Sequence, residues 1–251
     1  MYLDLLVMLD DHQTLALNQS IGDFQNNAEA QAMRTRIKVC CISSVDEARL
    51  AIMAGADALG LVSRMPSGPG TISDRAIATI SRTVPPGIDT FLLTSETQPD
   101  AVVDHVSRCG TSVVQLVSSV PPETYAALRK SCPNVRIVQV LHVEDECSVA
   151  EAKRVSSVVD AILLDSGRPN ATVPELGGTG RVHDWSISAQ IAEAVSLPVF
   201  LAGGLEAGNV ALAIARVQPF GVDLCSGVRA GGDLDESLLR GFIASVHSTN
   251  E

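Results

Sequence analysis

From Ile37 onward, short apolar runs of strand length alternate with amphipathic stretches of helical period. The apolar runs are IKVCCI (37–42), DALGLV (57–62), IDTFLL (88–93), TSVVQL (111–116), RIVQVL (136–141), DAILLD (160–165), LPVFLAGG (197–204) and GVDLCSG (221–227). Between them lie helical patterns with start and stop signals. Ser44 followed by Glu47 is a capping box opening VDEARLAIMAGA, and Gly55 ends it. A helix starts near Ser73. Others read PDAVVDHVSRCG, PPETYAALRKSC with prolines at its start, EDECSVAEAKRVSS, NVALAIARVQ and DESLLRGFIASV. AGAD (54–57) and FGVD (220–223) read as the same kind of helix-to-strand turn.

Strict alternation of eight strands and eight helices predicts parallel pairing through crossover helices. Eight such units favour a closed (β/α)8 barrel, the TIM-barrel class, over an open doubly wound sheet. No G-x-G-x-x-G follows the first strand, which disfavours the open alternative. Residues 1–35, Leu-rich and then polar, fall outside the alternation. They are expected to form an N-terminal extension, with the barrel spanning 36–251.

The chain length of 251 residues suits one such barrel. Hydrophobic residues make up 46% and aromatics 3%, so Ala, Val, Ile and Leu must build the core, as buried parallel strands require. The net charge is −11 and no Lys/Arg cluster stands out, which excludes nucleic acid as an expected partner. The apolar run at the N-terminus stops at Asp10 and Asp11, too short for a membrane span. The six scattered cysteines include no C-x-x-C pair and read as reduced cytoplasmic thiols, with no metal site expected. Cys40 and Cys41, adjacent on a strand, are expected on opposite faces.

Barrel chemistry sits at the C-terminal ends of the strands. That rule selects Lys38, Cys40 and Cys41 on strand 1, Ser63 and Arg64 after strand 2, Gln115 on strand 4, Asp165 on strand 6, and Gly203, Gly204, Ser226 and Gly227 after strands 7 and 8. Three Gly-rich loops, 177–180 with Gly178 among them, 203–204 and 226–227, fall on one face and suit a phosphate held by backbone N–H groups. Tight turns alone would also explain them. Cys40 by itself reads equally as a small buried hydrophobe. Asp165 closes an apolar run, where an acid is costly unless it has a role as acid, cap or anchor.

These residues resemble a known family. K-V-C-C (38–41), V-Q-L (114–116), L-L-D-S (163–166), G-G-T-G (177–180), H-D-W (183–185), P-V-F-L-A-G-G-L (198–205), N-V (209–210), P-F-G-V-D (219–223) and S-G-V (226–228) are similar, in order, to the motifs of phosphoribosylanthranilate isomerases. The resemblance spans about residues 37–243. It implies an Amadori rearrangement of a phosphoribosyl amine in tryptophan biosynthesis, with Cys40 as general base and Asp165 as general acid. No cofactor is implied, the partner is a phosphorylated sugar, and the assembly is a monomer or homodimer. Three positions differ from the family pattern. Cys41 stands where Gly follows the catalytic cysteine, Gly70 stands where an arginine holds the anthranilate carboxylate, and Val117 replaces a histidine. The phosphate end is thus expected to be intact and the carboxylate end altered, with Arg64 a candidate substitute. Two alternatives follow: a barrel acting on another sugar-phosphate amine, and a non-catalytic sugar-phosphate binder. A Gly70→Arg change is expected to strengthen carboxylate binding.

Overall fold

Strands buried on both faces need apolar residues at nearly every position, and the eight runs supply them. The computed structural model describes residues 34–66, 68–167 and 183–249. The expected extension lies outside the described residues except for Arg34 and Thr35, as does the 177–180 loop with Gly178. A compact unit begins at Thr35.

The strands are β1 (Arg36–Val39), β2 (Ala58–Val62), β3 (Asp89–Thr94), β4 (Val113–Leu116), β5 (Arg136–His142), β6 (Ala161–Asp165), β7 (Val199–Leu201) and β8 (Gly221–Leu224). The helices are α1 (Val45–Ala54), α2 (Asp74–Thr83), α3 (Pro99–Cys109), α4 (Pro122–Ser131), α5 (Cys147–Val155), α6 (Trp185–Ala194), α7 (Val210–Val217) and α8 (Glu236–His247). All eight strands pair in parallel, each with its chain neighbours, and the sheet closes because β1 also pairs with β8, Lys38 opposite Asp223. The expected (β/α)8 barrel is the observed one. Among the described residues no helix is long and apolar enough to cross a membrane.

Alternation along each strand divides the core. Ile37, Val39, Leu59, Leu61, Leu92, Val114 and Ile162 pack outward under the helices. Ala58, Val62, Phe91, Leu93, Val113, Val138, Leu163 and Phe200 fill the barrel interior. Three of the chain's five phenylalanines meet edge to face in that interior: Phe91 and Phe200 at 5.9 Å, Phe200 and Phe220 at 5.3 Å.

At the strand entries, a polar side chain just before an even-numbered strand receives an N–H from the strand before it. Ile37 N donates to Asp57 Oδ2 (2.9 Å), Thr90 N to Ser112 Oγ (2.9 Å) and Ile137 N to Asp160 Oδ2 (2.7 Å). The likeness of AGAD and FGVD stops here. Gly55 is a helix cap at φ +114° and Asp57 is such a clamp, whereas Gly221 already lies in β8 and Asp223 points to the interior partner Lys38. Helix α5 also begins at Cys147 rather than at Glu144, because Asp145 Oδ1 accepts the Cys147 N–H (2.8 Å) and fixes the entry there.

The capping box at Ser44 and Glu47 forms with a wider reach than the pattern alone predicts. Ser44 Oγ accepts the Glu47 N–H (3.1 Å), while the Glu47 carboxylate accepts Ser43 N (2.8 Å), pairs with Arg229 (3.0 Å) and accepts Leu234 N (2.9 Å). Arg229 also donates to the carbonyls of Cys41 and Gly232. It sits on a short antiparallel pair, β9 (Arg229–Ala230) with β10 (Asp233–Leu234), that follows β8. One largely buried ion pair therefore ties α1, the loop after β1 and the hairpin after β8 together. Glu47→Leu alone leaves the Arg229 charge short of its partner and is expected to cost about 3 kcal/mol in urea unfolding, whereas Glu47→Leu with Arg229→Met recovers much of that loss.

Candidate active site in the barrel interior

Lys38 is fully buried, and its Nζ lies 2.9 Å from Asp223 Oδ1, directly across the β1–β8 seam. The Nζ also sits 5.1 Å from the Phe91 ring centroid, a cation–π contact. Gly60 on β2 leaves the space: a Cβ there would stand 2.6 Å from Cys40 Sγ and 3.1 Å from Lys38 Nζ. The same gap thus brings the lysine and the cysteine side by side. Asp165 ends β6 opposite His142 of β5, and its Oδ1 accepts the Ser166 N–H at 2.7 Å. His142 Nε2 stands 3.2 Å from the Val117 carbonyl.

The interior holds more polar capacity than its own contacts use. Among the described residues, Lys38 Nζ, Gln115 Oε1, His142 Nδ1 and Asp223 Oδ1 are buried without a well-directed hydrogen bond, even though Lys38 and Asp223 form an ion pair. Buried polar atoms are seldom left so. Four of them converging from β1, β4, β5 and β8 mark a place for a polar ligand.

The buried ionisable groups of the interior are shifted. Burial pushes the Asp165 carboxyl above the usual range, against the pull of the Ser166 amide and of the charges on His142 and Lys38. Burial likewise raises Asp223, against its ion pair with Lys38. For Lys38, burial opposes the charge, but Asp223 and then Cys40 and Cys41 outweigh it, and the ammonium is held above its ordinary value.

Loops 7 and 8 meet beside this interior. Gly203 and Gly204 follow β7 at φ +88° and +63°, and Asn209 Nδ2 donates to Gly204 O (2.9 Å). Ser226–Val228 forms a 3-10 turn after β8, where a Cβ on Gly227 would collide with the Leu205 carbonyl. Among the described residues, none of the Gly203, Gly204, Ser226 and Gly227 N–H groups is committed to another part of the chain. In the H-D-W stretch, Asp184 caps α6, Trp185 is buried, and burial pushes His183 down to about 4, so it is neutral beside Ser188.

Two of the three departures, Cys41 and Gly70, pack against each other. Cys40 and Cys41 do not face opposite sides, because β1 ends at Val39 and Cys41 adopts φ +64°; both belong to the interior cluster. Gly70, at φ +74°, lies against Cys41, and a Cβ there would stand 2.5 Å from Cys41 Cβ. The two positions exchange bulk: a side chain after Cys40 requires none at 70. The expected benefit of Gly70→Arg is therefore overturned by collision and by backbone strain. Arg64 is exposed on the rim, lining a cavity of about 620 Å³ with Ser63, Asp74, Ser95, Glu96 and Arg108, and that lining includes none of Lys38, Cys40 and Asp165. Asp223, Phe91, His142 and Arg229 escaped the sequence reading. Asp223 had a signal, an acid inside the apolar run GVDL, the same one that singled out Asp165. Gly70→Ala is expected to destabilise the chain by roughly 2 kcal/mol through overpacking and left-handed strain. Adding Cys41→Gly should return the overpacking part, which a double-mutant cycle in urea will read.

Comparison with known proteins agrees with this geometry. The profile of the family N-(5'-phosphoribosyl)anthranilate (PRA) isomerase matches residues 37–245. The isomerase of Methanocella arvoryzae is 35% identical over 216 residues, 86% of this chain and 99% of the relative. Isomerase 2 of Methanosarcina mazei is 39% identical over 210 residues, 83% and 92% of the two chains. Among solved structures, the Thermotoga maritima isomerase is 29% identical with a TM-score of 0.72, covering 85% of this chain and 99% of that one. A phosphoribosylanthranilate isomerase solved with reduced 1-(o-carboxyphenylamino)-1-deoxyribulose 5-phosphate is 27% identical with a TM-score of 0.70 and the same coverage. These matches favour the isomerase over both alternatives raised by the sequence. The chain belongs to the N-(5'-phosphoribosyl)anthranilate isomerase family of tryptophan biosynthesis.

Proposed function

We propose that Cys40 and Asp165 carry the isomerase reaction, converting N-(5-phosphoribosyl)anthranilate to its 1-amino-1-deoxyribulose 5-phosphate isomer. The observation that supports this most is the raised Asp165 carboxyl in an interior whose polar atoms are unsatisfied. Asp165 Oδ1 is taken by the Ser166 amide, which leaves Oδ2 to carry the proton. That proton goes to the furanose ring oxygen, the C1–O bond breaks, and an iminium forms between C1 and the anthranilate nitrogen. The Cys40 thiolate then removes the proton from C2, giving an enolamine that tautomerises to the ketose. The Lys38 ammonium stands next to the sulfur that bears the negative charge, and Asp223 holds the lysine there.

The phosphate is assigned to the N–H groups of Gly203, Gly204, Ser226 and Gly227, the usual anion position of loops 7 and 8 in this fold. Gln115 Oε1, Lys38 Nζ and Asp223 Oδ1 remain for the sugar hydroxyls. Gly178 joins the phosphate loops in this proposal on sequence alone. Arg64 is proposed as the carboxylate partner only on charge, since the rim cavity puts an arginine near loops 2 and 3. Six free cysteines fit the cytoplasm.

Asp165→Asn and Cys40→Ser should each lower kcat by roughly 10² or more, with KM little changed. Turnover should fall as pH rises through the elevated pKa of Asp165, because the acid must be protonated; steady-state kinetics across pH will read both. Stability gives a second check. An acid whose folded pKa is raised contributes fully at low pH and loses stability as pH rises through that pKa. Asp165→Asn should therefore raise the urea midpoint at pH 8, and the gain should fade toward pH 4. Inorganic phosphate or ribose 5-phosphate should bind in calorimetry at millimolar concentration; no heat would remove the phosphate assignment.

A further inference from the structure

Cys41 and Cys225 have no part in the reaction above, yet their sulfurs are the closest thiol pair described. Cys225 Sγ lies 2.6 Å from Cys41 Sγ across the β1–β8 seam, 184 positions apart in the chain. Non-bonded heavy atoms rest at roughly 3.5–4.0 Å, and a disulfide bond measures about 2.05 Å. The pair stands between these limits, so bonding needs little backbone movement. The meeting depends on the left-handed turn at Cys41, which swings its side chain from the helix-facing side into the interior. Gly70, without a Cβ, leaves room for it.

The surroundings make the two sulfurs unequal. Cys225 is partly exposed and Cys41 is buried. The Arg229 guanidinium donates to the carbonyls of Cys40 and Cys41 and brings a cation to the pair. The contact with Cys41, helped by Arg229, lowers the Cys225 thiol, while contact with the thiols of Cys225 and Cys40 raises Cys41. An accessible thiolate beside a buried thiol is the arrangement of an attacking and a resolving cysteine.

We propose that Cys41 and Cys225 are a redox modification site that forms a reversible intramolecular disulfide at the mouth of the barrel. With a small disulfide such as oxidised glutathione as oxidant, the Cys225 thiolate attacks one of its sulfurs and expels one glutathione thiolate. Cys41 then gives up its proton to that thiolate or to solvent. Its sulfur attacks Cys225 Sγ and releases the second glutathione. Two protein thiols are oxidised, the small disulfide is reduced to two thiols, and no adduct remains. The bond joins the loop that carries Cys40 to the turn at Ser226–Val228.

The test uses the whole chain, folded, with oxidised glutathione at neutral pH, followed by alkylation and peptide mass mapping. The expected product has lost two hydrogens and two titratable thiols, with the Cys41 peptide bound to the Cys225 peptide, and dithiothreitol restores it. Cys225→Ser and Cys41→Ser should each abolish that link, and Cys109→Ser should leave it. Because the closed loop is long, the oxidised chain should melt several degrees higher than the reduced one. A link between Cys40 and Cys41, glutathione adducts without an internal bond, or no change in two thiols would each overturn the proposal. None of these readouts depends on isomerase activity, so the proposal stands or falls separately from the roles given to Cys40 and Asp165.

Discussion

The barrel closes on a charge pair. Lys38 and Asp223 face each other across β1 and β8, 2.9 Å apart and shut away from water. A buried ammonium or carboxylate alone is expensive, and each is tolerable here because the other is present. Their pairing register is also the register that joins the first strand to the last. The closing seam and the interior charge are one feature, and the remaining site groups take their places around it. Cys40 stands by the lysine because Gly60 leaves room for both, and Asp165 feels the lysine's charge.

That arrangement trades stability for chemistry. A barrel interior filled only with Val, Leu and Phe would satisfy every contact. This one keeps Gln115 Oε1 and His142 Nδ1 without partners among the described residues and holds Asp165 where ionisation is disfavoured. Each costs free energy in the folded chain. Each also offers a group that the proposed reaction would use: acceptors for hydroxyls, and a carboxyl whose proton burial holds more tightly than usual. The apolar lower layers, with three phenylalanines edge to face, offset the cost.

The loops show how local departures compensate one another. Cys41 stands in a left-handed conformation that glycine would occupy without strain. Its bulk requires Gly70 to stay a glycine and puts a thiol within reach of Cys225. Arg229 and Glu47 hold the backbone of that turn in place. What reads along the chain as two unrelated substitutions, Cys41 and Gly70, is one packed unit beside the β1–β8 seam.

The sequence by itself determined the strand and helix order, because apolar runs and caps are local signals. It therefore predicted the barrel, and with the rule that barrel chemistry sits at the strand ends it offered Lys38, Cys40 and Asp165 as candidates. It also placed the glycines of loops 7 and 8, since backbone approach leaves its mark on residue type. Only the tertiary structure decided the partnerships. Asp223 belongs to Lys38, Cys41 to Gly70 and Cys225, and Glu47 to Arg229, pairs separated by 29 to 185 positions. It also moved Cys41 inward, left Arg64 on the rim, and removed arginine as an option at position 70. The physical reason is closure: when β8 returns to β1, residues from opposite ends of the chain share one small volume, and sterics and charge there depend on both.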